Sequence, residues 1–194
     1  MARYDAEHKG ETRRRIVETA GRRLKQDGID GSGIAALMSD AGLTNGAFYA
    51  HFESKDDLVA NVVADQLATQ HAVLASLPDG RAALEEFIRD YLAPEHRDTP
   101  SKGCPSAALL DEIGRCDNAV RDSYTEGMQS IVEVIAAHLS PRDPSAARTR
   151  AIGLFTLLVA TLQLARAVSD RKLSDDILES GIRNAQTLLD RGNV

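Results

Sequence analysis

Between Thr44 and Lys55 the chain sets out a hydroxyl, a carboxamide, a phenol, an imidazole and an ammonium, on Thr44, Asn45, Tyr49, His51 and Lys55. Glu53 is the one acid in the stretch. A row rich in donors and poor in acids suits contact with phosphate oxygens and base edges better than bond-making chemistry. The carboxamide of Asn45 can pair with adenine N6 and N7, or take a phosphate or a water. Thr44 can meet a phosphate oxygen or cap the helix that follows. Gly46 lets backbone approach closely, and Ala47 offers a methyl group to thymine. Tyr49, His51 and Lys55 reach flanking phosphates, although His51 also suits a packing role and Lys55 an ordinary helix surface. Phe48 and Phe52 fall on the inner face and belong to the core.

Two short helices must position this row. Ile34, Leu37, Met38 and Ala41 recur at helical spacing and give the first one a single apolar face. Gly42 stops it, because a residue without Cβ takes the left-handed conformation of a tight helix end. Leu43 plugs the turn, and a second helix runs from Asn45 to about Ala50. The pattern is a helix-turn-helix, whose second helix enters the major groove by its N-terminal residues.

The flanks read as helices too. A basic helix from about Glu11 to Gln26 buries Ile16, Val17, Ala20 and Leu24 and ends at Asp27-Gly28. Ser54 is placed to cap a long helix reaching about Leu77, with Asp57 in the capping-box slot. Asp79, Asp117, Asp143 and Ser174 are caps for later helices, and Pro105 and Pro144 are first helical residues. The segment HRDTPSKG after Pro94 reads as a polar connection. No strand pattern appears. The expectation is an all-α chain of nine helices, with a helix-turn-helix domain over residues 1–54 and a helical bundle over residues 55–194, which the family resemblance below marks as the ligand-binding and dimerisation domain.

Charge is unevenly spread. The net charge is −6, yet residues 1–25 hold eight Lys and Arg against four acids. Residues 61–194 hold fourteen against nineteen. Basic residues thus gather beside the helix-turn-helix, where a nucleic acid would lie. The polar start lacks the apolar region of a signal peptide. The apolar run Ala151–Ala165 is shorter than the roughly 20 residues a bilayer needs. A cytoplasmic protein is expected. That run belongs to a helix apolar almost all round, from Ala151 to Val168, which needs cover from its own chain or a partner.

From Thr12 to Leu58 the sequence resembles the DNA-binding domain of the TetR family of transcriptional regulators. The match rests on GLTNGAFYAHFESKDDL: Gly42, Leu43, Thr44, Gly46, Ala47, Phe48, Tyr49, His51, Phe52, Ser54 and Lys55 fill the family's slots. GCPSAALL at Gly103–Leu110 is similar to the start of a helix in some members. The resemblance implies a homodimeric repressor, joined through its last two helices, that binds a palindromic operator in double-stranded DNA. It also implies release by a small effector held in the C-terminal domain. An apolar effector is expected, among Phe87, Tyr91, Leu109, Ile113, Tyr124, Met128, Phe155 and Leu158; a fully packed core there is the alternative. The chain departs from the family where Ser or Thr and then Arg often open the first helix of the motif. Here Gly33 and Ala35 stand instead, which removes two phosphate contacts, shifts the electrostatics to Arg3, Lys9 and Arg13–Arg15, and predicts a shallow salt dependence.

Two other chemistries compete. Cys104 precedes Pro105 at a helix start, where a thiol can be acidified, so a thiol-based redox regulator is an alternative. Cys116 is not an obvious disulfide partner. The five histidines lack metal-ligand spacing, and no catalytic serine, zinc-protease or phosphate-loop motif occurs. Glu85, Glu86, Asp111 and Glu112 read as solvated helix faces. No metal, cofactor or enzymatic activity is expected.

Overall fold

The computed structural model describes residues 2–190, with side chains from residue 7 onward; Arg3 therefore lies outside the described side chains. Nine α-helices and two 3-10 turns make up the fold, with no strand among the described residues. Helix α1 spans Ala2–Asp27, so it begins before the Glu11 expected from the sequence. Its buried stripe is Ile16, Val17, Ala20 and Leu24. Helix α2 (Ile34–Asp40) ends at Gly42, whose φ is +70°, with Leu43 N–H bonding back to the Met38 carbonyl at 2.9 Å. That closure is the reason glycine stands there.

Helix α3 (Lys55–Ala75) is capped as expected: Ser54 Oγ accepts from Asp57 N–H at 3.0 Å. The Asp57 carboxylate reaches one residue beyond the usual capping box, to Glu53 N–H at 3.0 Å. Its first turns pack on α1, while the rest lies along α7. Gly127 makes that crossing close, since a Cβ there would sit 2.6 Å from Leu67 Cδ1.

The remaining helices are α4 (Arg81–Tyr91), α5 (Pro94–Asp98), α6 (Pro105–Ile113), α7 (Asn118–Leu139), α8 (Pro144–Ala167) and α9 (Arg171–Asp190). Asp117 and Asp143 cap α7 and α8 through Val120 N–H and Ala146 N–H. Two expected caps are displaced. Gly80, not Asp79, precedes α4, with φ +112° and no side-chain cap bond. Asp170 caps α9 through Lys172 N–H and Leu173 N–H. Ser174 instead lies buried one turn in, donating to the Ala165 carbonyl at 2.6 Å and accepting from Arg97. The segment expected to be a polar connection folds into α5 and a 3-10 turn (Pro100–Lys102).

Arg97 and Arg166 hold that connection in place. Arg97 pairs with Asp98 at 2.8 Å and Asp175 at 2.6 Å. Hydrogen bonds from Arg97 and Arg171 keep the Asp98 carboxyl well below the usual range. Arg166 spends its guanidinium on the carbonyls of His96, Arg97 and Ala107.

Helix α8 is long and apolar enough to cross a membrane by length and composition alone. Its buried residues, among them Leu154, Phe155, Leu158 and Leu162, instead interlock with α7 and α9. The opposite face, Ile152, Thr156, Ala160 and Leu164, stays exposed, so the chain covers one side of the helix only.

Candidate nucleic-acid interface and ligand cleft

The recognition segment, Asn45–Ala50, folds as a 3-10 helix rather than an α-helix. Phe48 fixes it from below. Its ring is fully buried, stacked 5.2 Å edge-on from Tyr49 and 5.7 Å from Phe52. Both phenylalanines are core, as their positions required. With the inner side anchored, Thr44, Asn45, Gly46 and Tyr49 face outward, Tyr49 at 72% exposure. A phenol so exposed beside an amide and a hydroxyl is a poor core residue and a good polar contact.

Thr44 stands at the N-cap position with extended backbone, yet its side chain makes no cap bond. The hydroxyl is thus left to face outward. Ala47 is half-buried against the core. His51 is half-buried with Nδ1 buried and unpartnered among the described residues. Burial first, then Lys9 and Arg13, pushes its pKa down. A neutral imidazole with one nitrogen inside can still donate from the other. Lys55 Nζ donates to the Ile29 carbonyl at 2.6 Å, which ties α3 to the loop after α1. Two of its three N–H bonds stay unused by that contact.

The basic residues of α1 divide by role. Arg13 lies over the Phe52 ring at 4.6 Å and donates to Asn61 Oδ1 at 3.1 Å, so it braces α1 on α3. Arg23 pairs with Asp27 at 2.7 Å and with Asp40 of α2. Lys9, Arg14 and Arg15 remain exposed. Gly33 is the N-cap of α2, with no side-chain cap bond and open space where a Cβ would be.

A cleft of about 880 Å³ opens between α3 and α4. Val73, Leu77 and Phe87 form its apolar wall; Lys25, Tyr91, His96 and Cys104 close its inner end; Glu86, Asp90 and Glu95 stand around the mouth. Of the residues expected to line a pocket, the structure brings Phe87 and Tyr91 to this cleft. Leu109, Ile113, Phe155 and Leu158 are packed into the closed core, each 2% exposed or less. Tyr124 and Met128 are half-buried against that core, with Tyr124 Oη 3.1 Å from Ser106 Oγ. The cleft lies nearer α1 because the 95–105 connection folds under α4 and carries Cys104 to the base.

Lys25 is the residue that sequence reading missed. It comes from α1, is 7% exposed, and donates from Nζ to Gln66 Oε1 at 2.6 Å and to the Gly103 carbonyl at 2.9 Å. Burial holds its pKa down to about 8. Its signal was faint: with Val17 and Gly21 it continues an i, i+4, i+8 row on the buried side of a helix otherwise rich in solvated charge. Cys104 Sγ donates to Gln70 Oε1 at 3.2 Å, and Cys104 N–H to His96 Nε2 at 3.0 Å.

Comparison with known proteins follows the same division of the chain. Residues 16–62 match the family described as bacterial regulatory proteins, tetR family. The chain is 36% identical over 62 residues to the HTH-type transcriptional regulator AcrR of Shigella flexneri, covering 32% of this chain and 29% of that protein. It is 37% identical over 75 residues to the HTH-type transcriptional regulator TtgR of Pseudomonas putida, covering 39% of this chain and 35% of that one. These matches thus span about a third of each relative's length. The whole fold is shared more widely. The reduced form of NemR from E. coli superposes with a TM-score of 0.77 at 19% identity, over 91% of this chain and 96% of that one. A TetR-family regulator from Agrobacterium tumefaciens gives 0.74 at 20%, over 91% and 98%.

Proposed function

We propose that this chain, whose residues 16–62 match the tetR family of bacterial regulatory proteins and whose fold is shared with a TetR-family regulator, is a homodimeric transcriptional repressor of that family. It binds a palindromic operator in double-stranded DNA in the cytoplasm and lets go when a small effector enters the cleft between α3 and α4. The observation that carries the reading is the outward row Thr44, Asn45, Gly46 and Tyr49 on a segment pinned by buried Phe48. One such segment reads only a few base pairs, so a two-fold dimer presenting two of them to half-sites one helical turn apart is the economical arrangement. The exposed stripe of α8, Ile152, Thr156, Ala160 and Leu164, supplies a flat apolar surface for the second copy.

A gel shift against the DNA flanking the chain's own coding region tests this. Binding to a palindrome, lost in Asn45→Ala/Tyr49→Ala, supports the proposal; no binding at low salt sinks it. A thiol-based switch is a second reading, favoured by Cys104 lying in the cleft wall. Mild peroxide would then abolish the shift in the wild type but not in Cys104→Ser.

A further inference from the structure

We propose that the inner end of the cleft receives the carboxylate of an amphipathic organic acid, held by Lys25 Nζ and the Tyr91 hydroxyl, with the apolar body along Val73, Leu77 and Phe87. The proposal rests on the effector reading above and names the ligand's class.

Four observations converge on it. The Lys25 ammonium is buried with three N–H bonds and only two neutral oxygens to receive them, Gln66 Oε1 and the Gly103 carbonyl. No carboxylate pairs with it among the described residues. A buried cation in that state lacks its natural partner, which a bound carboxylate supplies. Arg166 stands nearby with its guanidinium likewise given to three neutral carbonyls, so the base of the cleft is net positive.

Tyr91 lines the same end and is 5% exposed; its hydroxyl lies beside the Cys104 thiol but makes no hydrogen bond of good geometry among the described residues. Burial raises its pKa well above the ordinary value, so it stays a donor. His96 does not cancel this preference, because Nδ1 donates to the Tyr91 carbonyl at 2.7 Å and Nε2 accepts from Cys104 N–H. Glu86, Asp90 and Glu95 stand at the outer mouth with Lys102, three acids to one base. Charge therefore orders the ligand: acid inward, apolar body outward. Because Lys25 belongs to α1, a carboxylate and the Gly103 carbonyl draw on one ammonium, and occupancy bears directly on the joint with the DNA-reading helices.

The test is calorimetric titration of the full-length protein with decanoate, decanol and decyltrimethylammonium, which share a tail and differ in head group. Decanoate is expected to bind about tenfold more tightly than decanol, as a charge-assisted pair implies. Lys25→Met should bring the two within about twofold, and Tyr91→Phe should weaken decanoate alone by about threefold or more. Tyr91→Phe keeps the ring and carries the test if Lys25→Met fails to fold. Equal affinity for acid and alcohol, a preference that survives both variants, or tighter binding of the cation overturns the assignment. Loss of the acid preference with DNA binding intact defeats this inference alone. Acid preference with no DNA binding at low salt defeats the repressor reading instead.

Discussion

Lys25 Nζ, on the helix that precedes the helix-turn-helix, donates at 2.9 Å to the carbonyl of Gly103, at the base of the cleft in the other half of the chain. One ammonium thereby joins the helix-turn-helix unit to the cleft between α3 and α4. Burying it is costly, and the cost depends on pH.

Lys25 has a folded pKa of about 8, below its ordinary 10.5. Between those values the unfolded chain binds more protons, so unfolding free energy rises with pH across the interval. Below 8 both states are protonated and the full burial cost applies. Removing a shift of this size is worth up to about 3 kcal/mol. Cys104, Arg22, Arg166 and His96 also face the site, so the measurement is a difference. Urea melts of wild type and Lys25→Met from pH 7 to 10.5 should converge on a rising wild-type curve relative to a flatter variant. Parallel curves would remove the argument.

Asn45→Ala should lower operator affinity by about 1–3 kcal/mol and relax preference at one base pair per half-site, if the carboxamide pairs with adenine. A uniform loss across operator variants would move Asn45 to the phosphate backbone. Competition binding with single-base operator variants separates the two.

Gly33→Ser adds a hydroxyl at an N-cap with extended backbone (φ −77°, ψ 150°) and open space for the Cβ. Stability should rise by a few tenths of a kcal/mol, about the usual gap between Gly and Ser at this position. The new hydroxyl also restores one expected phosphate contact, so operator affinity should increase. Thermal melts and gel shifts check both, and a destabilised protein would contradict the cap geometry.

Ala160→Asp places a charge in the middle of the exposed α8 stripe. Single exposed substitutions usually shift monomer stability by less than about 0.5 kcal/mol. Light scattering should nevertheless report a monomer where the wild type gives a dimer. An unchanged dimer would place the interface elsewhere.

Gly127→Ala should cost about 1–3 kcal/mol by overpacking, because the added methyl meets Leu67 Cδ1 at 2.6 Å and Leu67 Cβ at 2.7 Å. The denaturation midpoint reads it directly. Since α3 must move away from α7 to accept the methyl, DNA affinity should fall as well.

The fold of the helix-turn-helix segment was legible in sequence because its determinants are local. Gly42 closes one turn, Ser54 and Asp57 cap α3, and Phe48 and Phe52 fall inside by spacing alone. The cleft was not legible, because it depends on where the 95–105 connection is folded. That segment is polar and short of helical period, and Arg97 and Arg166 hold it through backbone carbonyls and distant acids. Leu109 and Phe155 looked equally suited to a pocket wall or a core, and periodicity does not tell these apart. Asp79 and Ser174 were sound cap residues by type. Gly80, next to Asp79, and Asp170, four residues before Ser174, took the positions because cap choice is settled by a helix's start, which patterns locate only within a few residues.

The joint between the two halves also has a kinematic reading. Besides the Lys25–Gly103 link, Asp30 N–H donates to Glu112 Oε2 at 3.0 Å, just beyond the end of α1. Two fixed points leave a rigid body one freedom, rotation about the line through them. The recognition segment stands off that line, so it travels along an arc whose length grows with its distance from the axis. A turn about that line would convert a small displacement at the cleft base into a larger sweep of the segment, and α3, packed on α1 at its start and along α7 beyond, would have to bend or shift with it.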